Sequence, residues 1–222
     1  MIACIEHPSK QAMADQLACL IADLLSATIA ERGRASLAVS GGTTPLLLFE
    51  SLSKTPLDWT KVTVTLTDER CVPADSERSN EGFVRRSLLT GDAEAAAFLP
   101  LYGESNLSET AAVLSLPLDV AIFGLGEDFH TASLFPDAKE TAAALDPACA
   151  LPLALIRPSS QPEERITLTA PPILTCRHKF LILHGEAKKA ALQKAQSIGD
   201  PQQAPVNILF VGGDPAEVHL AP

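Results

Sequence analysis

Short apolar runs that break off into glycine or acidic turns constrain this chain more than any other feature. Ala35–Val39, Val62–Leu66, Val120–Phe123 and Phe180–Leu183 are each four or five residues long. Runs of that length and apolarity read as strands buried on both faces, the habit of parallel sheets. Between them lie helical patterns. Ser9 is placed to cap a helix to about Arg32, with Gly33 as its stop. Its stripe is Met13, Leu17, Leu20 and Leu24, with Ile21, Leu25 and Ile29 at the same spacing. Pro45 suits the first turn of a helix continuing through Leu46–Leu52. Further helices are expected over Asn80–Leu89, Leu107–Leu114 and Gly185–Ser197, and further strands at Phe98–Leu101, Leu153–Ile156 and Arg165–Leu168. Asp137–Ala150 is Ala-rich and reads as helical or irregular, and Val206–Val211 reads as the closing strand. This alternation predicts an α/β fold, a mostly parallel sheet with helices on both faces, in one domain over 1–222.

Charge narrows the function classes. Seventeen Lys and Arg against 27 Asp and Glu give a formal charge of −10. Such a chain has no general affinity for nucleic acid or anionic membranes. It can still bind a small anion where a few basic groups and backbone N–H groups converge. No apolar run is expected to reach the ~20 residues of a membrane span, and MIACIEHPSK lacks the order of a signal peptide. The five cysteines include no CxxC pair, so reduced thiols and a cytoplasmic location are expected, with Cys4 and Cys19 as small core residues. The five histidines are scattered, and no metal site or cofactor is expected.

Five stretches carry candidate chemistry. Ser40-Gly41-Gly42-Thr43-Thr44-Pro45 joins a strand to a helix. Its glycines allow close backbone approach, and its N–H and hydroxyl groups suit an anion; the plainer reading is a capped tight turn. Gly124-Leu125-Gly126-Glu127-Asp128-Phe129 has Phe129 where a dinucleotide fingerprint needs its third glycine, so nicotinamide binding is disfavoured. Thr67-Asp68-Glu69-Arg70 ends a strand; Arg70 can fork onto a phosphate and Asp68 orient a hydroxyl, or the pair is a surface ion pair. Asp128 and His130 follow the Val120–Phe123 strand, where open sheets bind ligands, and form a candidate acid/base pair. Lys188, in the first turn of a helix, is unfavourable with the helix dipole unless an anion is near, and Arg165 carries a similar ambiguity.

Taken together, SGGTTP (40–45), TDERCVPADSERSN (67–80), GLGEDFHTASLFP (124–136), ERITLTAPPIL (164–174) and GEAKK (185–189) resemble the 6-phosphogluconolactonase family. They occur in the family's order over most of the chain from residue 35. The resemblance implies a Rossmann-like fold shared with glucosamine-6-phosphate deaminases and ribose-5-phosphate isomerases. It implies hydrolysis of 6-phospho-D-glucono-1,5-lactone in the pentose phosphate pathway, with no metal or organic cofactor. His130 resembles the family's general base and Asp128 its partner. Arg70, Arg165 and Lys188 resemble its phosphate contacts; Gly41, Gly42 and Thr43 match its phosphate-approaching turn, and Asp68 and Asn80 lie in matching loops. One position departs: the family usually has Asp-Gly-His where this chain has Asp128-Phe129-His130. If that glycine uses φ > 0, phenylalanine is strained there or re-aims His130.

Two rivals follow. A sugar-phosphate deaminase shares the SGG-type turn, but usually has an Asn-Glu segment where this chain has TASLFP. A non-catalytic sugar-phosphate sensor is suggested only by Phe129. The expected partner is a small phosphorylated sugar lactone, with no nucleic acid and no membrane, and the expected assembly is a monomer or weak homodimer.

Overall fold

A computed structural model describes residues 4–103 and 105–222. In chain order the elements are β1 (Cys4–Glu6), α1 (Lys10–Arg32), β2 (Ala35–Val39), α2 (Leu46–Leu52), β3 (Val62–Leu66), β4 (Asp68–Arg70), α3 (Asn80–Ser87), β5 (Ala97–Phe98), α4 (Leu107–Val113), β6 (Val120–Phe123), α5 (Thr141–Ala144), β7 (Leu153–Ile156), β8 (Arg165–Leu168), α6 (Ala170–Thr175), β9 (His178–His184), α7 (Glu186–Ile198) and β10 (Glu217–Ala221). The seven-stranded sheet runs β1-β10-β9-β6-β2-β3-β5, with every pairing parallel. A second sheet, β4-β8-β7, is antiparallel.

Local chemistry sets the first helix. Ser9 Oγ accepts from the Ala12 N–H at 3.1 Å, and Gly33, at φ 78°, donates its N–H back to the Ile29 carbonyl at 2.8 Å. By length and a mean hydropathy of 1.4, α1 is apolar enough to cross a membrane, which corrects the reading that no such segment exists. Its Met13, Leu17, Ile21 and Leu25 are buried, packed towards α2, β2 and β10. It is a core helix.

The strand order reverses between β6 and β2. From β2 the chain proceeds outward to β3; from β6 it proceeds the other way, to β9 and β10. Because β2 and β6 are paired, Leu37 with Val120 and Ala38 with Ala121, the turns leaving their carboxyl ends emerge side by side. Those turns are Ser40–Pro45 and Gly124–His130. Crevices outside such a switch point are where open α/β sheets bind ligands. At the opposite end, buried Asp119 fastens the two strands, accepting from Ser36 N–H at 2.8 Å and Ser36 Oγ at 3.0 Å, and pairing with Arg32.

Three expectations change. Val206–Val211 is not a strand: Pro205–Phe210 winds into a 3-10 turn. Proline at its head supplies no N–H to a ladder, and the buried Asn207 side chain donates to the Ala195 carbonyl at 2.7 Å. The missing strand is β10, between β1 and β9. Its buried His219, matched to His7 by an Nδ1···Nε2 contact of 3.0 Å, breaks the apolar signal. The strands at Leu153–Ile156 and Arg165–Leu168 stand outside the parallel sheet, as β7 and β8. Cys19 is exposed and Cys4 only half-buried, so neither belongs to the deep core.

Candidate active site

The Ser40–Pro45 turn is shaped by what it must pass. A Cβ on Gly41 would lie 1.9 Å from Asn80 Oδ1, so only glycine lets this turn approach the start of α3. Gly42 takes φ +91°. Ser40, Gly41, Thr44 and Pro45 line a cleft of ≈ 180 Å³. Gly42 and Thr43 are exposed just outside it.

Opposite stands β4. Asp68, Arg70 and Asn80 all line the cleft. Their anchor is Glu69, which points away and is buried. Its carboxylate accepts from the backbone N–H groups of Arg70 at 2.6 Å, Asn80 at 2.8 Å and Glu81 at 2.7 Å, and from Ser79 Oγ at 3.1 Å. A carboxylate at a helix start satisfies orphan N–H groups and complements the dipole. Burial pushes the Glu69 carboxyl up, against the pull of these hydrogen bonds. Asn80 Nδ2 donates to the Asp68 carbonyl at 2.8 Å, and the Asp68 carboxylate accepts from Ser133 Oγ at 2.5 Å. Glu69 therefore locks β4 to α3 and leaves Asp68, Arg70 and Asn80 facing inward.

Arg165, on β8, is the register partner of Arg70. It is 4% exposed. Gln161 Oε1 accepts from its guanidinium at 3.0 Å and Glu163 lies 3.9 Å away. Burial and then the charge of Arg70 hold its pKa below the ordinary value. Neither Arg70 Nε nor Arg165 Nε has a partner among the described residues. Buried charged donors without partners are costly, and like charges in register repel. An anion between them removes both penalties.

The third wall is the Gly124–His130 turn. His130 Nδ1 and Asp128 Oδ1 are 2.5 Å apart. With the carboxylate taking Nδ1–H, Nε2 is left as the basic nitrogen. Burial alone would raise the Asp128 carboxyl, but the hydrogen bond and charge of His130 outweigh it and leave Asp128 below its ordinary value. The His130 ring stacks on Phe135, centroids 4.1 Å apart, and the Arg165 guanidinium lies 5.7 Å from the same Phe135 ring. One buried aromatic ring thus sets the spacing between imidazole and guanidinium. Lys188 is placed differently from the other cations: its Nζ donates to the Leu125 carbonyl at 2.9 Å, bracing the glycine turn that lines the cleft.

A family model described as glucosamine-6-phosphate isomerases/6-phosphogluconolactonase matches residues 8–216. The chain belongs to this family. A 6-phosphogluconolactonase of Mesorhizobium japonicum is 45% identical, over 97% of this chain and 93% of its own length. The crystal structure of a 6-phosphogluconolactonase from Shewanella baltica OS155 is 35% identical with a TM-score of 0.95, covering 100% of this chain and 98% of that one. A monomeric glucosamine-6-phosphate deaminase, 16% identical, has a TM-score of 0.79 over 99% of this chain and 97% of its own, and so shares the fold.

In this member of the glucosamine-6-phosphate isomerase/6-phosphogluconolactonase family, Phe129 does adopt a glycine's backbone, with φ +69°. That conformation costs a non-glycine residue roughly 1–2 kcal/mol. Ala132 is also left-handed, at φ +48°, so strained residues bracket His130, as at sites whose geometry is imposed by their surroundings. Sequence reasoning assigned no role to Gly126, Glu69 or Phe135. A Cβ on Gly126 would stand 2.1 Å from His130 Nδ1 and 2.7 Å from Asp128 Oδ1; its place in the Gly-x-Gly turn was the available signal. Glu69 acts through hydrogen bonds across the loop to the start of α3 and Phe135 through packing between elements, neither of which a local pattern discloses.

Proposed function

We propose that this chain is a 6-phosphogluconolactonase, hydrolysing 6-phospho-D-glucono-1,5-lactone to 6-phospho-D-gluconate. The observation that carries this reading is one cleft lined by both His130 and the Arg70–Arg165 couple. The substrate phosphate lies between the two guanidinium groups, with the Ser40–Pro45 turn closing over it. Planar guanidinium forks match phosphate oxygens bidentately. Asn80 and Asp68 bind sugar hydroxyls, and Lys188 keeps the Gly124–Gly126 turn in place.

With the phosphate anchored, the lactone carbonyl is presented to His130. Nε2 takes a proton from water as the water oxygen attacks the carbonyl carbon. The carbonyl oxygen becomes an oxyanion, stabilised by N–H groups of the glycine turns. Asp128 fixes the imidazole tautomer and stabilises the imidazolium. As the tetrahedral intermediate collapses, the bond from carbon to ring oxygen breaks. His130 returns its proton to that oxygen, giving the open-chain hydroxyl and the carboxylic acid, which ionises. The histidine is regenerated.

The test generates the lactone in place, couples product formation to an oxidative readout, and subtracts spontaneous opening. Acceleration by wild type that disappears in His130→Ala supports the assignment. Wild-type turnover in His130→Ala would remove His130 from the mechanism, and no acceleration by wild type would remove the activity.

A further inference from the structure

Phe129 separates the two halves of the acid/base pair, yet it does not line the cleft. Asp128 and His130 turn inward to each other, while Phe129 turns the other way. The turn that carries them is closed on itself: Gly126 N–H donates to the His130 carbonyl at 2.8 Å, and Phe129 N–H to the Gly126 carbonyl at 3.3 Å. Beside the Lys188 contact to Leu125 and the stacking of His130 on Phe135, Phe129 ties it to the body of the protein. The Phe129 carbonyl accepts from Val206 N–H, at the head of the Pro205–Phe210 turn, at 3.0 Å. Its half-buried ring packs against the hydrophobic core, with Lys194 Nζ of α7 5.6 Å from the ring centroid. Glycine would adopt the same φ without strain, but would offer only the backbone tie.

We propose that Phe129 is a positioning residue for His130, its ring packed on the core beside Lys194 of α7 and its carbonyl tied to Val206, so that the Asp128–His130 pair is held at one angle to the cleft. The inference rests on His130 being the general base. The side chain that makes the local backbone strained is the one that fixes it. A catalytic imidazole that gains angular freedom loses turnover while substrate affinity is retained, because the phosphate contacts lie on other elements.

The experiment compares wild type, Phe129→Gly and Phe129→Leu. Steady-state lactone hydrolysis is combined with nitrogen NMR of the His130 imidazole in the ligand-free protein. In Phe129→Gly, kcat is expected to fall about tenfold or more with KM within about twofold. Its imidazole spectrum should change from one tautomer, hydrogen-bonded through Nδ1, to an average of tautomers. Phe129→Leu, which keeps an apolar anchor, should restore most of kcat and the single-tautomer spectrum. Wild-type kcat and spectrum in Phe129→Gly, or equal losses in both variants, would overturn the proposal. Absence of lactone hydrolysis by wild type would instead defeat the functional reading, while the NMR comparison would still decide whether Phe129 fixes the imidazole.

Discussion

Arg70 and Arg165 are cross-strand partners in the antiparallel β4–β8 ladder, two guanidinium groups in register with Arg165 almost wholly buried. A fold optimised only for stability would not place like charges there. An anionic ligand between the two guanidinium groups would offset that repulsion, as the proposed phosphate site requires.

Replacing Arg165 by Gln should therefore weaken substrate binding without weakening the fold. KM for the phosphorylated lactone is expected to rise about 10- to 100-fold, the usual worth of a charge-assisted contact. Inorganic phosphate should raise the thermal midpoint of wild type and leave that of Arg165→Gln unchanged. Equal phosphate stabilisation of both proteins in a thermal-shift titration would argue against this anion site.

Asp128→Asn keeps the size of the side chain and removes its charge. The amide can present either its oxygen or its NH2 to Nδ1, so it no longer fixes the tautomer, and it has no charge to stabilise the imidazolium; kcat should fall at least about tenfold with little change in KM. A kcat equal to wild type would show that the 2.5 Å contact is structural only.

Two glycines allow separable damage. Gly41→Ala drives a Cβ into Asn80 and should cost about 1–3 kcal/mol of stability in denaturant unfolding, the range for overpacking, together with a higher KM. Gly126→Ala drives a Cβ into the His130 and Asp128 side chains and should lower kcat instead. Similar kinetic profiles in the two variants would contradict the division of the cleft into a binding wall and a catalytic wall.

Acid stability should depend on His219. Burial, followed by the neighbouring charge of His7, holds its pKa below the ordinary 6.5, against the pull of Glu217. The groups around it are the stacked His7 ring, the edge of Phe180 and the Glu217 carboxylate at 3.6 Å. In the native protein the imidazole stays neutral to lower pH than in the unfolded chain, so below 6.5 the unfolded state binds more protons. Stability is fully present above 6.5 and falls as pH drops towards the native value. Unfolding free energies measured across this range should show a steeper acid limb for wild type than for His219→Leu.

Much of the candidate cleft was legible because its residues are clustered locally. Asp128 and His130 are two residues apart, and Ser40 and Gly41 adjoin a strand end, whereas Gly42 and Thr43, expected at the site, lie outside the cleft. Asp68, Arg70 and Asn80 proved to be held by Glu69, whose partners are spread over a dozen residues. That carboxylate looked like one more charge in TDER. β10 was missed and Val206–Val211 misread for a related reason. A buried histidine disguises one strand until His7 appears beside it, and a proline-led apolar segment imitates the other.

The sequence alone determined the parallel-sheet alternation, the helix caps and the glycine turns, since these depend on propensity and spacing within a few residues. The family resemblance also singled out Phe129, where relatives usually have glycine. Only the tertiary structure decided which turns meet: the reversal of strand order between β6 and β2 brings the residue 40 and residue 124 turns together. The antiparallel β4–β8 pairing then sets Arg70 against Arg165. Contacts between residues almost a hundred positions apart arise from chain topology and burial, which no local window of sequence contains.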